Sequence, residues 1–434
     1  MHSKLKHLLV WISAFILGAC QTSPKKNNEK AGPNEELASI PKVEKLTSGP
    51  GYHWFGYYDK LQVDPSGRYI LGAKVGFEGR SPTATDSLEI GMVDTQNENT
   101  WVKLGYSNAW GWQQGCMLQW IPGAGKEITW NDREGDRFVS RVYNVETKEV
   151  RTLPRAIYTL SPNGQFALCT DFNRIQDMRP GYGYAGLPDP HGTERAPGQI
   201  GIYKMDLQTG ESQMILSIAE VAEIDTSPDS VKNYWHYFNH LLISPNSERF
   251  VFLHRKRKLK PSETGSKRGG FITRMFSANV DGSDLFLLDP SGKTSHFIWK
   301  ENEALCAWTK PAGEQWGFYL LYDKSGRIDR IAPAKMPKNG HNTYVPGTNY
   351  EWILNDTYPG KEDRLQTLYL YHVLTDRRIE LGQFHAPGMY KGEWRCDLHP
   401  KASPGGKWVI FDSTHEGDGR QMYRVDISDI IKSI

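Results

Sequence analysis

The chain has 434 residues, with 52 Lys and Arg against 50 Asp and Glu. Balanced charge excludes the basic excess of a general nucleic-acid binder, and 38% hydrophobic with 24% charged residues excludes a disordered chain and a multi-span membrane protein. Counts of 42 Gly, 25 Pro, 14 Trp, 21 Tyr and 16 Phe favour turns and strands and point to an all-β chain, although length alone suggests two or three domains.

Lys4, Lys6 and His7 precede the apolar run from Leu8 to Ala19. A positive start followed by a short apolar stretch reads as a secretory signal, too short to span a bilayer comfortably. The run ends in Leu17-Gly18-Ala19-Cys20, which resembles a bacterial lipobox. Residues 1–19 are therefore expected to be a lipoprotein signal peptide, with Cys20 the lipid-modified first residue of the mature chain. Residues 20–45, rich in Lys, Asn, Glu and Pro, read as a flexible tether. The expected location is the bacterial cell envelope, at the outer membrane or periplasmic face, with the lipid anchor the only membrane contact. Removing Lys4 and Lys6 with the leader brings the formal charge to zero.

A turn phrase followed by an apolar strand then recurs, beginning at Asp64, Ile121, Ser161, Ser244 and Ser403, with degenerate copies at Lys300 and Val345. Pro or Asn with Gly, followed by alternating bulky residues, is a hairpin signal. Each copy is followed by a strand, a polar turn and another strand, as in Ile202 to Leu216 and Phe318 to Ile331. Seven such units predict a seven-bladed β-propeller over residues 46–434, with an N-terminal strand completing the last blade. One short helix is expected between Ser217 and Val231, and a monomer is expected. Cys116, Cys169, Cys306 and Cys396 form no zinc-type spacing and read as buried free thiols.

Alignment on the turn proline exposes a histidine register. His240, His341 and His399 lie five residues before Pro245, Pro346 and Pro404, and His296 five before Glu301. The first three blades carry Lys60, Met117 and Ile157 there. This position opens the innermost strand, beside the central channel. Four imidazoles at one mouth of that channel suit a divalent metal such as Mn, Ca or Zn, with Asp397 as a carboxylate ligand; an anion or a general base are the alternatives.

Other candidates are scattered. His53 lies in the aromatic segment Gly51 to Lys60. The loop from Arg174 to Gly186 carries Arg174, Arg179, Tyr182 and Tyr184, a mixture suited to an anionic sugar. Seven Lys and Arg occur between Arg255 and Arg268 and read as a solvated loop or a face for an acidic polymer. Trp110, Trp112 and Trp120 either stack on sugars or fill the core, and His415 and Glu416 read as structural. No GxSxG, P-loop or HExxH stands out, which disfavours α/β-type hydrolases, NTPases and zincins.

The phrases beginning at Asn239, Arg395 and Pro180 (PGYGYAG) resemble those of the β-propeller polysaccharide lyases, namely oligogalacturonate lyase and the short ulvan lyases. A related glycoside hydrolase family that removes α-L-rhamnose from glucuronic acid is a second match. The likeness to oligogalacturonate lyase implies a metal at His296, Asp397 and His399 and a catalytic role for His240, with Asp397 standing where that family has His. The likeness to ulvan lyases implies a catalytic Tyr184, and puts that family's histidines at Gln113 or Gln114 and near Asn131, none of which is His here. The hydrolase likeness implies His53.

These residues predict β-elimination on an acidic poly- or oligosaccharide. Tyr184 or His240 would act on the protons, and Arg174, Arg179 or Arg195 would pair the carboxylate, with Tyr182, Gln113 and Gln114 lining the sugar site. A hydrolase acting through His53 and a non-catalytic glycan-binding propeller are the alternatives.

Overall fold

Ser161, Ser244 and Ser403 each accept, through Oγ, the amide of the residue five positions on, at 3.0, 3.0 and 3.1 Å. Asp64 does the same for Tyr69 at 2.7 Å. This repeated bond, with a proline at the next position, closes the hairpin between the first two strands of a blade. The turn needs one residue at positive φ; Gly164 and Gly406 supply it at 71° and 66°, and Ser247 takes the same conformation at 64°.

The computed structural model describes residues 40–224, 230–264 and 270–433. The leader and Cys20 lie outside the described residues, as do residues 265–268 of the basic run. Among the described residues the chain forms seven four-stranded antiparallel sheets, the blades of a propeller. Six of them pair four consecutive strands, spanning residues 52–107, 119–153, 157–217, 235–289, 297–331 and 343–385. The seventh joins the C-terminal strands Lys401–Ala402, Trp408–Ser413 and Gln421–Asp426 to the N-terminal strand Val43–Lys45. Val43 faces Val425 and Lys45 faces Tyr423 in the closing ladder, and Glu44 grips Arg424 with two bonds of 2.9 Å. The propeller thus takes in Val43–Lys45, ahead of the expected boundary at residue 46.

Three departures from a plain propeller shape the site. First, the innermost chain of the first blade leaves its sheet between Trp54 and Val63, carrying the buried Tyr57 and Tyr58 into the channel. The Tyr58 hydroxyl donates to the Phe297 carbonyl at 2.9 Å and accepts the Phe297 amide at 3.0 Å, so it bridges the first and fifth blades. Second, the third blade carries an insertion between Phe166–Cys169 and Gly201–Asp206, opening with the helix Phe172–Met178, so the segment expected as a loop from Arg174 begins in a helix. Third, the first two strands of the fourth blade, Trp235–Ile243 and Arg249–Arg257, run nine residues each. The expected short helix is Ile218–Glu223, capped by reciprocal bonds between Ser217 and Glu220.

The side chains of Trp110, Trp112 and Trp120 are buried and pack in the first two blades. Their indole N–H groups bond the carbonyls of Asp86, Arg80 and Gln62, so they fill the core. Cys116, Cys169, Cys306 and Cys396 are buried and free. His415 bonds the Ser413 hydroxyl and packs on Phe384 and Tyr423.

Candidate functional site

The register histidines meet at the centre. The rings of His296 and His341 lie 4.2 Å apart, and those of His341 and His399 4.3 Å. Tyr57 touches the rings of His240, His341 and His399 at 5.2, 6.1 and 5.1 Å, and Tyr58 those of His296 and His341 at 6.0 and 5.3 Å. The two phenols therefore floor the cluster. His240 and His399 hold positive φ of 53° and 43°, a strained conformation for such side chains that recurs at functional sites.

His341 and His399 converge with Asp397, their ligand-capable atoms all within 4.8 Å of one another. His341 Nε2, His399 Nε2 and Asp397 Oδ1 are each buried without a hydrogen-bond partner. Three unpartnered polar atoms on converging side chains are costly unless something binds them. Ligand atoms about 2.1 Å from a tetrahedral ion sit ~3.4 Å apart, so binding an ion would draw the set in by up to about 1.4 Å. Two of the three groups are held from behind. Asp356 binds His341 Nδ1 at 2.9 Å and its backbone amide at 2.7 Å, and Arg395 binds Asp397 Oδ2 at 2.7 Å. A carboxylate behind an imidazole fixes the tautomer that leaves Nε2 free for a metal. Burial, then His341, holds the His399 imidazole well below its usual pKa and hence neutral. The residues present fit a divalent cation with a mixed nitrogen and oxygen donor set.

His296, expected among the ligands, stands beside this triad. Its Nδ1 bonds Asn339 at 3.0 Å and its Nε2 meets the Tyr358 hydroxyl at 3.3 Å, so both ring nitrogens are already engaged.

The other side of the cluster is basic and phenolic. Tyr182 lies 5.8 Å from the His240 ring, accepts a hydrogen bond from Arg395 Nη2 at 2.9 Å and carries the Arg179 guanidinium 4.0 Å above its ring. Burial pushes the Tyr182 phenol up, but Arg179 and Arg395 outweigh it and hold it below its usual value. Burial, then Arg179 and Lys60, keeps His240 well below the usual imidazole range, so it is a neutral base at neutral pH. Its backbone amide is fixed by the Tyr158 hydroxyl at 2.7 Å.

Several expected site residues lie elsewhere. Tyr184 is fully buried, stacked on Phe172 at 4.2 Å and bonded to Asn131 at 2.8 Å; burial raises its phenol well above the usual range. It is a core residue of the second and third blades, and Tyr182 takes the place beside His240. The reason is Gly183, which lies against the helix so closely that a Cβ would sit 2.2 Å from the Gln176 nitrogen; the turn there sends the two tyrosines apart. Arg174 is also spent: its guanidinium binds Asp189 and the carbonyls of His236, His191, Glu194 and Arg195, stapling the insertion. Arg195 stacks on Trp235 at 4.9 Å. Gln113 bonds the carbonyls of Glu393 and Arg395, and Gln114 accepts the Tyr158 hydroxyl, so both support the site from behind. His53 lines a side groove with Lys45, Thr47, Asn99 and Trp101 and bonds Gln421 at 2.9 Å, away from the four histidines. Burial lowers its pKa to about 4.

Arg395, Asp356 and Tyr358 carried no signal by themselves. The spacing Arg395, Asp397, His399 did: alternate residues of an extended chain share one side.

A seven-bladed propeller with a cation-ready triad, a neutral histidine and a polarised phenol at its centre is the class defined by this fold and site. No protein-family model matches the chain, and no curated protein matches it in sequence. Solved structures do. The crystal structure of oligogalacturonate lyase from Vibrio parahaemolyticus aligns with a TM-score of 0.61 at 14% identity, over 91% of this chain and 96% of that one. An oligogalacturonate lyase in complex with manganese aligns with a TM-score of 0.62 at 14% identity, over 92% and 96%. The chain shares the propeller fold of these lyases.

Proposed function

We propose that the protein is a metal-dependent lyase that cleaves uronic-acid glycans of the pectin or ulvan type by β-elimination. The observation that carries this reading is the convergence of His341, His399 and Asp397, each with a buried, unpartnered ring nitrogen or carboxylate oxygen, next to His240 and Tyr182. The likeness to an oligogalacturonate lyase in complex with manganese supports manganese as the ion.

The C5 proton of a uronate is only weakly acidic until charge on the adjacent carboxylate is neutralised. A divalent ion on the triad would supply that neutralisation as a Lewis acid. Arg395, pinned between Asp397 and Tyr182, adds a fixed positive charge on the same side. His240, neutral and so free to accept, takes the C5 proton. The C5–H electron pair becomes the C4=C5 double bond and the C4–O bond breaks. Tyr182 delivers its proton to the leaving oxygen, and Arg179 and Arg395 stabilise the resulting phenolate. Tyr57 and Tyr58 close the channel beneath the reacting sugar and exclude water from that side. Product mass is the test: elimination leaves an unsaturated uronate, whereas hydrolysis adds one water and a binding protein leaves the glycan intact.

We further propose that Cys20 anchors the protein in the cell envelope. Cys20→Ala would release it into the soluble fraction, and unchanged membrane association would oppose anchoring.

A further inference from the structure

The lengthened fourth blade carries a second cluster of unpartnered polar groups. Pleating places Tyr237 on one face with its ladder partner Arg255. Tyr237 is fully buried with an unbonded hydroxyl, and Arg255, only 3% exposed, leaves Nε and Nη1 unbonded. Arg179 approaches from the third-blade insertion, also with an unbonded Nη1. The two guanidinium groups share one ring: Phe271 lies 4.6 Å from Arg255 and 5.0 Å from Arg179. Among the described residues no carboxylate pairs with either. One buried and one half-buried guanidinium, both over one ring and both with unbonded N–H groups and no paired carboxylate, form an arrangement that binding an oxyanion would relieve.

The cluster adjoins the reaction site. Arg179 lies over Tyr182, and Tyr182 meets His240. Phe271 is 40% exposed and offers an apolar platform for the C–H face of a sugar. We propose that Arg255, Arg179 and the Tyr237 hydroxyl, with Phe271, form a second oxyanion subsite, which takes the carboxylate or sulfate ester of a sugar neighbouring the one that is cleaved. The placement of that sugar rests on the lyase reading, but the anion binding does not. The substrate is then a chain with acidic groups on more than one sugar.

Calorimetry on manganese-loaded protein tests this with four probes: galacturonic acid, tri-galacturonate, its methyl-esterified neutral form and a sulfated rhamnose–glucuronate oligosaccharide. Arg255→Met should weaken tri-galacturonate or the sulfated probe at least tenfold while leaving galacturonic acid unchanged; which of the two probes suffers identifies the acid group. Arg255→Lys should recover part of the loss. Arg255→Met without ligand should melt at or above the wild-type temperature, because an unpaired buried cation is removed, and this separates lost binding from lost folding. The proposal is overturned if Arg255→Met binds every probe as wild type does, or if wild type binds neither tri-galacturonate nor the sulfated probe better than the neutral trimer. Both outcomes are readable even if the protein turns over no glycan.

Discussion

Asp356 grips His341 twice, at its backbone amide and at Nδ1, and so leaves Nε2 aimed at His399 and Asp397. The triad is therefore organised before any ion arrives. Asp356→Asn should lower manganese affinity about 10- to 100-fold, and His399→Ala should abolish measurable binding. Metal titration followed by electron paramagnetic resonance reads both. Wild-type affinity in Asp356→Asn would show that the carboxylate does not position the ligand.

Tyr182 and Tyr184 are two residues apart but chemically distinct. Tyr182→Phe should lower kcat about 10²- to 10⁴-fold. Tyr184→Phe should leave kcat unchanged and cost about 1 kcal/mol of stability for the lost bond from Asn131. Steady-state kinetics beside thermal melts separates them.

The pH profile follows from the same groups. His240 must be neutral to accept a proton, so activity falls as pH drops through its pKa, which burial sets well below the usual 6.5. Tyr182 must be protonated to donate, so activity falls as pH rises through its pKa, held below the usual 10.0. Arg179→Met removes one cause of the Tyr182 depression and should move the alkaline limb upward. An unmoved limb would assign it to another group.

Asp171 tests the electrostatics of the insertion. Burial raises its carboxyl to about 7, against a usual value of 3.8. Between these values the folded protein binds more protons than the unfolded chain, so stability falls as pH rises from about 4 to 7. Asp171→Asn should therefore raise Tm at pH 8 by about 2 °C or more and have little effect at pH 4. Equal shifts at both pH values would rule out titration as the cause.

Tyr58 tests the channel plug. Tyr58→Phe removes two hydrogen bonds to Phe297, worth about 1 kcal/mol each, and should lower Tm by a few degrees without altering the core.

The propeller was legible because Pro, Gly and Ser recur where each blade needs its first turn, and even the closing N-terminal strand followed from an incomplete last copy. The histidine register was legible for the same reason: a repeat turns spacing into position. What resisted reading lay in the insertions, where no repeat sets the frame. Tyr182 and Tyr184 differ only through the turn that Gly183 allows, and Arg174 and Arg179 through which of them the loop carbonyls enclose. His296 kept the register but lost its free nitrogens to Asn339 and Tyr358, partners remote in sequence.

The most direct test incubates the wild-type protein and His399→Ala with tri-galacturonate and ulvan oligosaccharides, with manganese and with chelator, and weighs the products. Unsaturated uronate products, lighter than hydrolysis products by one water, are expected only from wild type with manganese. Saturated products, intact glycans under every condition, or equal turnover by His399→Ala would contradict it.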